Sequence, residues 1–356
     1  MAVASAYELL MNEQFVDRLH HGIDNATERV FIQVMTFDGD AAGLGVSERL
    51  IAAANRGVDV RLTVDLFAFR YVSDMRSTKP EIADEVTETH AMFDRLEAAG
   101  IQITYVGPWG PLLMFGALRV HKKIFVVDDM VYLGGINISD HNFEWLDFIV
   151  GIRNDDVVAE TVDDFHATRR GERVAQKGAI VTNEYVEETF DEMIRSAKSS
   201  IVVASPYALD LDLERRLSEA TAPSKTVITP QRSNFPMFRR TDPYMRERIL
   251  RHDVELLTFT DFFHAKFLLV DNERLLVGSS NFGRHSFRCN HEICVVIEDP
   301  VFIEALLNAL PATKPIEHRP SKLRYFYGLP VEYYFFGGTN LLERIVVPRA
   351  PVLASR

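Results

Sequence analysis

The chain has 356 residues, enough for about two domains of ~150 residues, each able to bury a full core. With 47% hydrophobic and 25% charged residues and a mean hydropathy near zero, the composition excludes disorder, collagen-like repeats and a disulfide scaffold. The 39 basic and 51 acidic side chains leave a formal net charge of −12. Such a field disfavours sequence-independent nucleic-acid binding, which needs Lys and Arg to displace phosphate counterions.

The amino terminus, MAVASAYELLMNEQF, has no basic start and meets Glu8 before any long apolar run, so no signal peptide is expected. Helical spacing over Phe15–Ile23 is followed by a β-rich run at Val30–Phe37, a helix at Ser47–Asn55 and a strand at Val58–Val64. A helix near Glu85–Ala98 precedes a strand at Ile101–Val106. A hairpin follows at Lys123–Val127 and Met130–Leu133, then a strand at Phe148–Ile152. The polar stretch Arg169–Ile180 reads as a linker.

The order then repeats. Helices are expected at Tyr185–Ala197, Leu213–Ala220, Tyr244–His252 and Val301–Leu310. Strands are expected at Ile201–Ala204, Val227–Thr229, Val254–Leu257 and Glu292–Ile297, with a hairpin across Lys266–Val277. This predicts an α/β protein of two similar domains, 1–175 and 176–312, followed by a tail, 313–356, packed on them. The tail carries prolines and the aromatics Tyr325, Phe326, Tyr327, Tyr333, Tyr334, Phe335 and Phe336.

No stretch approaches the ~20 apolar residues of a membrane span, so the chain is expected in the cytoplasm, free or resting on a membrane surface. The two cysteines, Cys289 and Cys294, are expected on one strand, too far apart for a disulfide and consistent with a reducing compartment.

The chemistry emerges when the two hairpins are aligned. VHKKIFVVDDMVYLGGIN and FHAKFLLVDNERLLVGSSN each contain His-x-Lys-x-x-x-x-Asp: His121, Lys123 and Asp128, then His264, Lys266 and Asp271. Each continues through a turn into a strand ending in glycine, Gly134 or Gly278, with Asn137 or Asn281 three residues later. On a strand, residues two apart share a face, so each histidine points with its lysine. An imidazole beside an ammonium suits attack on a phosphoryl group, one acting as nucleophile and the other neutralising oxygen charge. Asp128 and Asp271 have the opposite parity and read as turn residues.

Asn290 and Glu292 share a face, and Glu292 is expected to orient His264. Asp147, with Glu144 behind it, is the candidate acid of the first half. A zinc shell of His285, Cys289, His291 and Cys294 is rejected, because Cys294 would face away from Cys289 and His291. No other cluster has metal spacing, and no cofactor is expected.

The sequence resembles the phospholipase D superfamily, whose signature is a duplicated HKD motif followed in each half by Gly-Ser-x-Asn and Asn-x-Glu. The second half matches fully, through Gly278, Ser279, Asn281, Asn290 and Glu292. In the first half Gly135 replaces the serine and no Asn-x-Glu follows. ERLIAAANRGVDVRLTVD and GGINISD resemble the bacterial cardiolipin synthases.

The resemblance implies two α/β domains, each a mixed sheet flanked by helices, related by a pseudo-two-fold axis around one active site. It also implies metal-independent phosphodiester chemistry through a phosphohistidine. His121 would be the nucleophile and His264 the acid and base, with Lys123, Lys266, Asn137 and Asn281 on the phosphate oxygens. The substrate would be a phospholipid reached by peripheral membrane contact, with nucleic acid disfavoured. An HKD-type endonuclease is the alternative reading, and Arg239, Arg240, Arg246 and Arg248 near the second motif offer cations for a phosphate backbone or a lipid head group. A catalytically inert phosphate-binding repeat protein is a third. The apolar approach Gly107–Phe115, just before His121, favours lipid.

Overall fold

The computed structural model describes residues 6–70, 80–107, 119–234 and 238–317. The apolar stretch at 111–115 and the aromatic tail at 325–336 lie outside these residues. The first half runs β1 (Tyr7–Met11), α1 (Asn12–Asn25), β2 (Arg29–Val34), α2 (Ala41–Asn55), β3 (Asp59–Asp65), α3 (Leu66–Arg70), α4 (Pro80–Ala98) and β4 (Gln102–Val106). It continues through β5 (Ile124–Val127), β6 (Met130–Gly134), α5 (Asp140–Glu144), β7 (Phe148–Ile152) and α6 (Asp155–Arg169).

The second half runs β8 (Val181–Thr182), α7 (Glu184–Ser196), β9 (Ser200–Ala204), α8 (Leu211–Glu219), β10 (Ser224–Ile228), α9 (Phe238–Ile249) and β11 (Glu255–Phe259). After it come β12 (Phe267–Val270), β13 (Arg274–Gly278), α10 (Arg284–Cys289), β14 (Ile293–Ile297), α11 (Pro300–Ala309) and β15 (Thr313–Pro315).

The duplication is visible in the topology. The first sheet is ordered β1-β7-β6-β5-β2-β3-β4, and the second β8-β14-β13-β12-β9-β10-β11 with β15 added at its edge. In each sheet three parallel strands join an antiparallel hairpin: β2, β3 and β4 with β5 and β6, then β9, β10 and β11 with β12 and β13. Helices α2, α6, α8 and α11 begin at Asp40, Asn154, Asp210 and Asp299, whose side chains accept amide hydrogens of the first turn.

The paired strands β5 (IFVV) and β12 (FLLV) are apolar throughout because both of their faces are covered. Ile124 and Val126 point into a core shared with Phe267 and Leu269 of the other sheet. Phe125 and Val127 face the core under α1 and α2, and Leu268 and Val270 the one under α7 and α8. The shared core also takes Val157, Val158 and Phe165 of α6 and Phe302, Ile303 and Leu306 of α11. The ring of Phe302 packs edge-on to Tyr7 of β1, 6.1 Å between centroids.

Helix α6 lies outside the elements expected from the sequence, although its start is marked by Asn154 and two first-turn acids, Asp155 and Asp156. The cysteines do not share a strand. Cys289 closes α10 and Cys294 lies in β14, because the chain turns at Gly283 into a short helix before resuming the sheet; both side chains are buried and neither forms a disulfide.

Candidate active site

The motifs enter β5 and β12, the strands that face each other across the shared core, so residues 119–123 and 262–266 meet residues of the opposite half. Two short parallel bridges make the contact, Val120 with His291 and Leu146 with Phe263. The His121 amide donates to the His291 carbonyl at 3.0 Å, and the His264 amide to the Leu146 carbonyl at 2.8 Å. The next residue after each acceptor is an acid. Glu292 thereby reaches Nδ1 of His121 at 3.0 Å, and Asp147 reaches Nδ1 of His264 at 3.2 Å.

The acids therefore cross between the halves. Glu292 orients His121 and not the His264 of its own half, which corrects the sequence-based pairing. Parity placed Glu292 on the correct face of its strand, but only the bridge between the halves decides which imidazole lies opposite.

All of these side chains are buried, yet the two sites differ. The Glu292 carboxylate also accepts from Ser279 Oγ, Ser286 Oγ (2.9 Å) and Asn290 Nδ2 (3.2 Å). Burial alone would raise its pKa, but His121, Lys123 and the Ser279 hydroxyl outweigh burial and hold it at about 2. Burial likewise depresses His121 to about 4, against the pull of Glu292. At neutral pH His121 is thus a neutral imidazole. Its Nδ1–H is given to a full carboxylate, which leaves the lone pair on Nε2.

Asp147 has one amide donor, Phe148 N at 2.8 Å, and burial raises it to about 6 despite Lys266. Nδ1 of His264 is contested, with Lys266 Nζ at 2.8 Å and Asp147 Oδ2 at 3.2 Å. One nitrogen cannot accept from the ammonium and donate to the carboxylate at once, so the proton on His264 has two places to sit. Burial, then Lys266, Lys123 and His121, hold its pKa well below the usual histidine range.

The two lysines fold back on the backbone of their own motifs. Lys123 Nζ donates to the His121 carbonyl at 2.6 Å, and Lys266 Nζ to the His264 carbonyl. Burial lowers Lys123 to about 7 and Lys266 to about 8, so both are cations short of counter-charge and suited to an anion. Asn137 and Asn281 part company. Asn137 Oδ1 accepts from the amides of Met35 (3.2 Å) and Thr36 (3.3 Å), whereas Asn281 Oδ1 is buried with no hydrogen-bond partner among the described residues. Asp128 and Asp271 sit in the hairpin turns at φ 49° and 56°. Their carboxylates collect the amides of residues 27–29 and 198–200.

Several contributors escaped the sequence reading. The Trp145 ring lies 5.2 Å from that of His264, with Tyr207 at 6.3 Å on the same imidazole. Asp65, at the end of β3, accepts from Arg119 Nε (2.9 Å) and Val120 N (2.8 Å) and so aims the chain into the first motif. Lys122, opposite in parity to His121, makes a buried ion pair with Asp164 of α6 at 2.7 Å. The signal for these was weak: a tryptophan two residues from Asp147, and an extra lysine where the second motif has Ala265.

Three of the arginines near the second motif are already used. Arg246 donates to the carbonyls of Pro230 and Gln231, Arg248 pairs with Glu214, and Arg239 bonds the carbonyls of Ser233 and Asn234. Among the described residues His285, Cys289, His291 and Cys294 do not converge as ligands. Asp38, Asp40 and Glu85 do bring oxygens within 4.8 Å of one another, a grouping the sequence spacing did not reveal. Asp40 in that group is bonded to the amides of Gly43 and Asp140.

Comparison with known proteins places this geometry. The family model described as "Cardiolipin synthase, PLD-like domain" matches residues 19–169 and again 190–311. The chain belongs to the phospholipase D-like family. Cardiolipin synthase A of Proteus mirabilis is 26% identical over 338 residues, covering 83% of this chain and 66% of that protein. The major cardiolipin synthase of Bacillus subtilis is 22% identical over 82% of this chain and 65% of its own length. The chain thus spans just under two thirds of these curated relatives.

Among solved structures, phosphatidylserine synthase of Haemophilus influenzae superposes with a TM-score of 0.69 at 16% identity, covering 97% of this chain and 95% of that one. Polyphosphate kinase of Porphyromonas gingivalis gives 0.60 at 13% identity over 94% and 56%. Both share the phospholipase D-like fold of two mixed sheets flanked by helices. Among the described residues no helix is long and apolar enough to cross a membrane.

Proposed function

We infer that this chain is a phosphatidyltransferase of the phospholipase D type, acting on phospholipid phosphodiesters with an alcohol or water as acceptor. The observation that carries the reading is the pair of imidazoles from different halves, each bound through Nδ1 to a carboxylate of the opposite half and flanked by a buried lysine. The family and its cardiolipin synthase relatives support a phospholipid as substrate.

In the first step the Nε2 lone pair of His121 attacks phosphorus, and the P–O bond to the departing alcohol breaks. His264 gives its proton to the leaving oxygen, and the phosphatidyl group rests on His121 as a phosphohistidine. In the second step His264 takes a proton from the incoming alcohol or water, whose oxygen attacks phosphorus. The P–N bond breaks and His121 is restored. Lys123, Lys266 and the Asn281 amide hold the non-bridging oxygens as charge develops. Phosphate binding supplies the lysines with counter-charge and lets His264 carry a proton that the empty site denies it.

Both carboxylates beside the histidines are committed to imidazoles, so the reading assigns no step to a metal. The test is a mass-spectrometric assay of a phospholipid panel with water, glycerol and phosphatidylglycerol as competing acceptors, run beside plasmid and single-stranded DNA. Phosphatidyl transfer or phosphatidic acid release, lost in His121→Ala and His264→Ala, is the expected result. DNA cleavage with no lipid turnover would transfer the assignment to the nuclease reading.

A further inference from the structure

The two motifs carry the same histidine and lysine, yet they are not chemically equal, and the difference traces to one position. After the last glycine of each hairpin, Gly134 and Gly278, the second half has Ser279 and the first half Gly135. Ser279 Oγ donates to the Glu292 carboxylate and its backbone amide to the Ile293 carbonyl, so the serine clamps the acid that orients His121. With Ser286, Asn290 and His121 the Glu292 carboxylate has four donors.

At Gly135 no such clamp fits. A Cβ placed there would overlap Asp147 Oδ2 and would lie 3.1 Å from its Cγ and 3.0 Å from Lys266 Nζ. The bare backbone is what allows the Asp147 carboxylate and the Lys266 ammonium to close on His264 from one side. Among the described residues Asp147 keeps a single amide donor, and Lys266 Nζ stands 4.0 Å from its Oδ2.

Resting on the phosphatidyltransferase reading, we propose that Gly135 and Ser279 set the division of labour between the histidines. Gly135 is a positioning residue that keeps Asp147 under-bonded beside Lys266, so His264 shuttles the proton. Ser279 pins Glu292 as a permanent anion, so His121 stays the nucleophile. A carboxylate saturated with donors cannot relax when its imidazole changes charge, whereas one short of donors follows the proton.

The experiment compares wild type, Gly135→Ala and Ser279→Gly of the full chain on two substrates. Phosphatidylglycerol in mixed micelles has a poor leaving group and needs the acid. Bis-p-nitrophenyl phosphate has a leaving group that departs without a proton, so its first-turnover burst reports His121 alone. Gly135→Ala should lower steady-state turnover of the lipid by about tenfold or more while leaving the p-nitrophenolate burst within about twofold of wild type. Ser279→Gly removes atoms without crowding. It should slow the burst and move the burst's acid limb to higher pH, because Glu292 loses a donor to its charged form.

Equal losses of burst and turnover in Gly135→Ala, or an unchanged burst pH profile in Ser279→Gly, would overturn the proposal. Should Gly135→Ala fail to fold, the Ser279→Gly burst profile decides alone. A wild-type chain inert on both substrates, or one still active as His121→Ala and His264→Ala, would instead sink the enzymatic reading beneath it.

Discussion

At the scale of single residues, the ionisation of three buried groups predicts the pH dependence. In the free protein Asp147 titrates at about 6, so protonating it on the way down removes the partner of His264. On the way up Lys123 at about 7 and Lys266 at about 8 lose the charge that receives the phosphate. A plot of kcat/KM against pH should therefore be a narrow bell, falling below about 6 and again above about 7 to 8. The basic limb of kcat should lie at higher pH, since bound phosphate stabilises both ammonium groups. A flat profile from pH 5 to 9 would contradict the site. His264→Ala, which under the proposed mechanism removes the proton shuttle, should reduce lipid turnover by about 10²–10⁴-fold, measured against a Tm control. EDTA should leave turnover unchanged.

Among the secondary-structure elements, the two hairpin turns and helix α6 make separate predictions. Asp271 lies at a left-handed turn; burial raises its carboxyl, but the amides of Ser200, Lys198 and Ser199 together outweigh it and hold the group well below the ordinary range. Its folded-state pKa is depressed, so its contribution to stability is present above the unfolded value and lost as pH falls through the folded one. Asp271→Ala should lower Tm at pH 7 and converge on wild type in acid, as followed by circular dichroism. The Lys122–Asp164 pair ties the first motif to α6 with both partners buried. Asp164→Ala strands the ammonium and should cost about 3–5 kcal/mol, while the double replacement Lys122→Met with Asp164→Leu should recover most of it. Urea titration of wild type and the two variants measures the difference.

For the molecule as a whole, the site exists only because two similar halves face each other, and among the described residues no helix is long and apolar enough to cross a membrane. The stretch before His121 contains Leu112, Leu113 and Phe115, and burying such side chains in a bilayer surface is worth about 1.5–3 kcal/mol each. Replacing the three with serine should cut turnover on vesicles far more than on a short-chain soluble phospholipid. Equal losses on both would make the stretch part of the pocket. The −12 net charge predicts weaker vesicle binding as anionic lipid increases, an effect that salt should reverse.

The duplicated hairpins, their buried strands and the facing of each histidine with its lysine were legible in the chain because they rest on local rules: strand parity, apolar runs and turn residues. His121, Lys123, His264 and Lys266 could be named from spacing alone, whereas the mixed sheets that carry them followed from the resemblance to the phospholipase D superfamily. Helix α6 had its start signal, but its apolar face is legible only beside the sheets it packs against. The partner of each imidazole was not legible. Glu292 lies 28 residues from His264 and 171 from His121, yet it is His121 that it touches. The same holds for Asp147 and His264, 117 residues apart. Local spacing fixes which face a side chain takes, whereas contact across a pseudo-symmetric interface depends on how two finished sheets dock. Burial, which shifts the ionisation of the groups in the site and must be outweighed at Glu292, comes into being only with that docking.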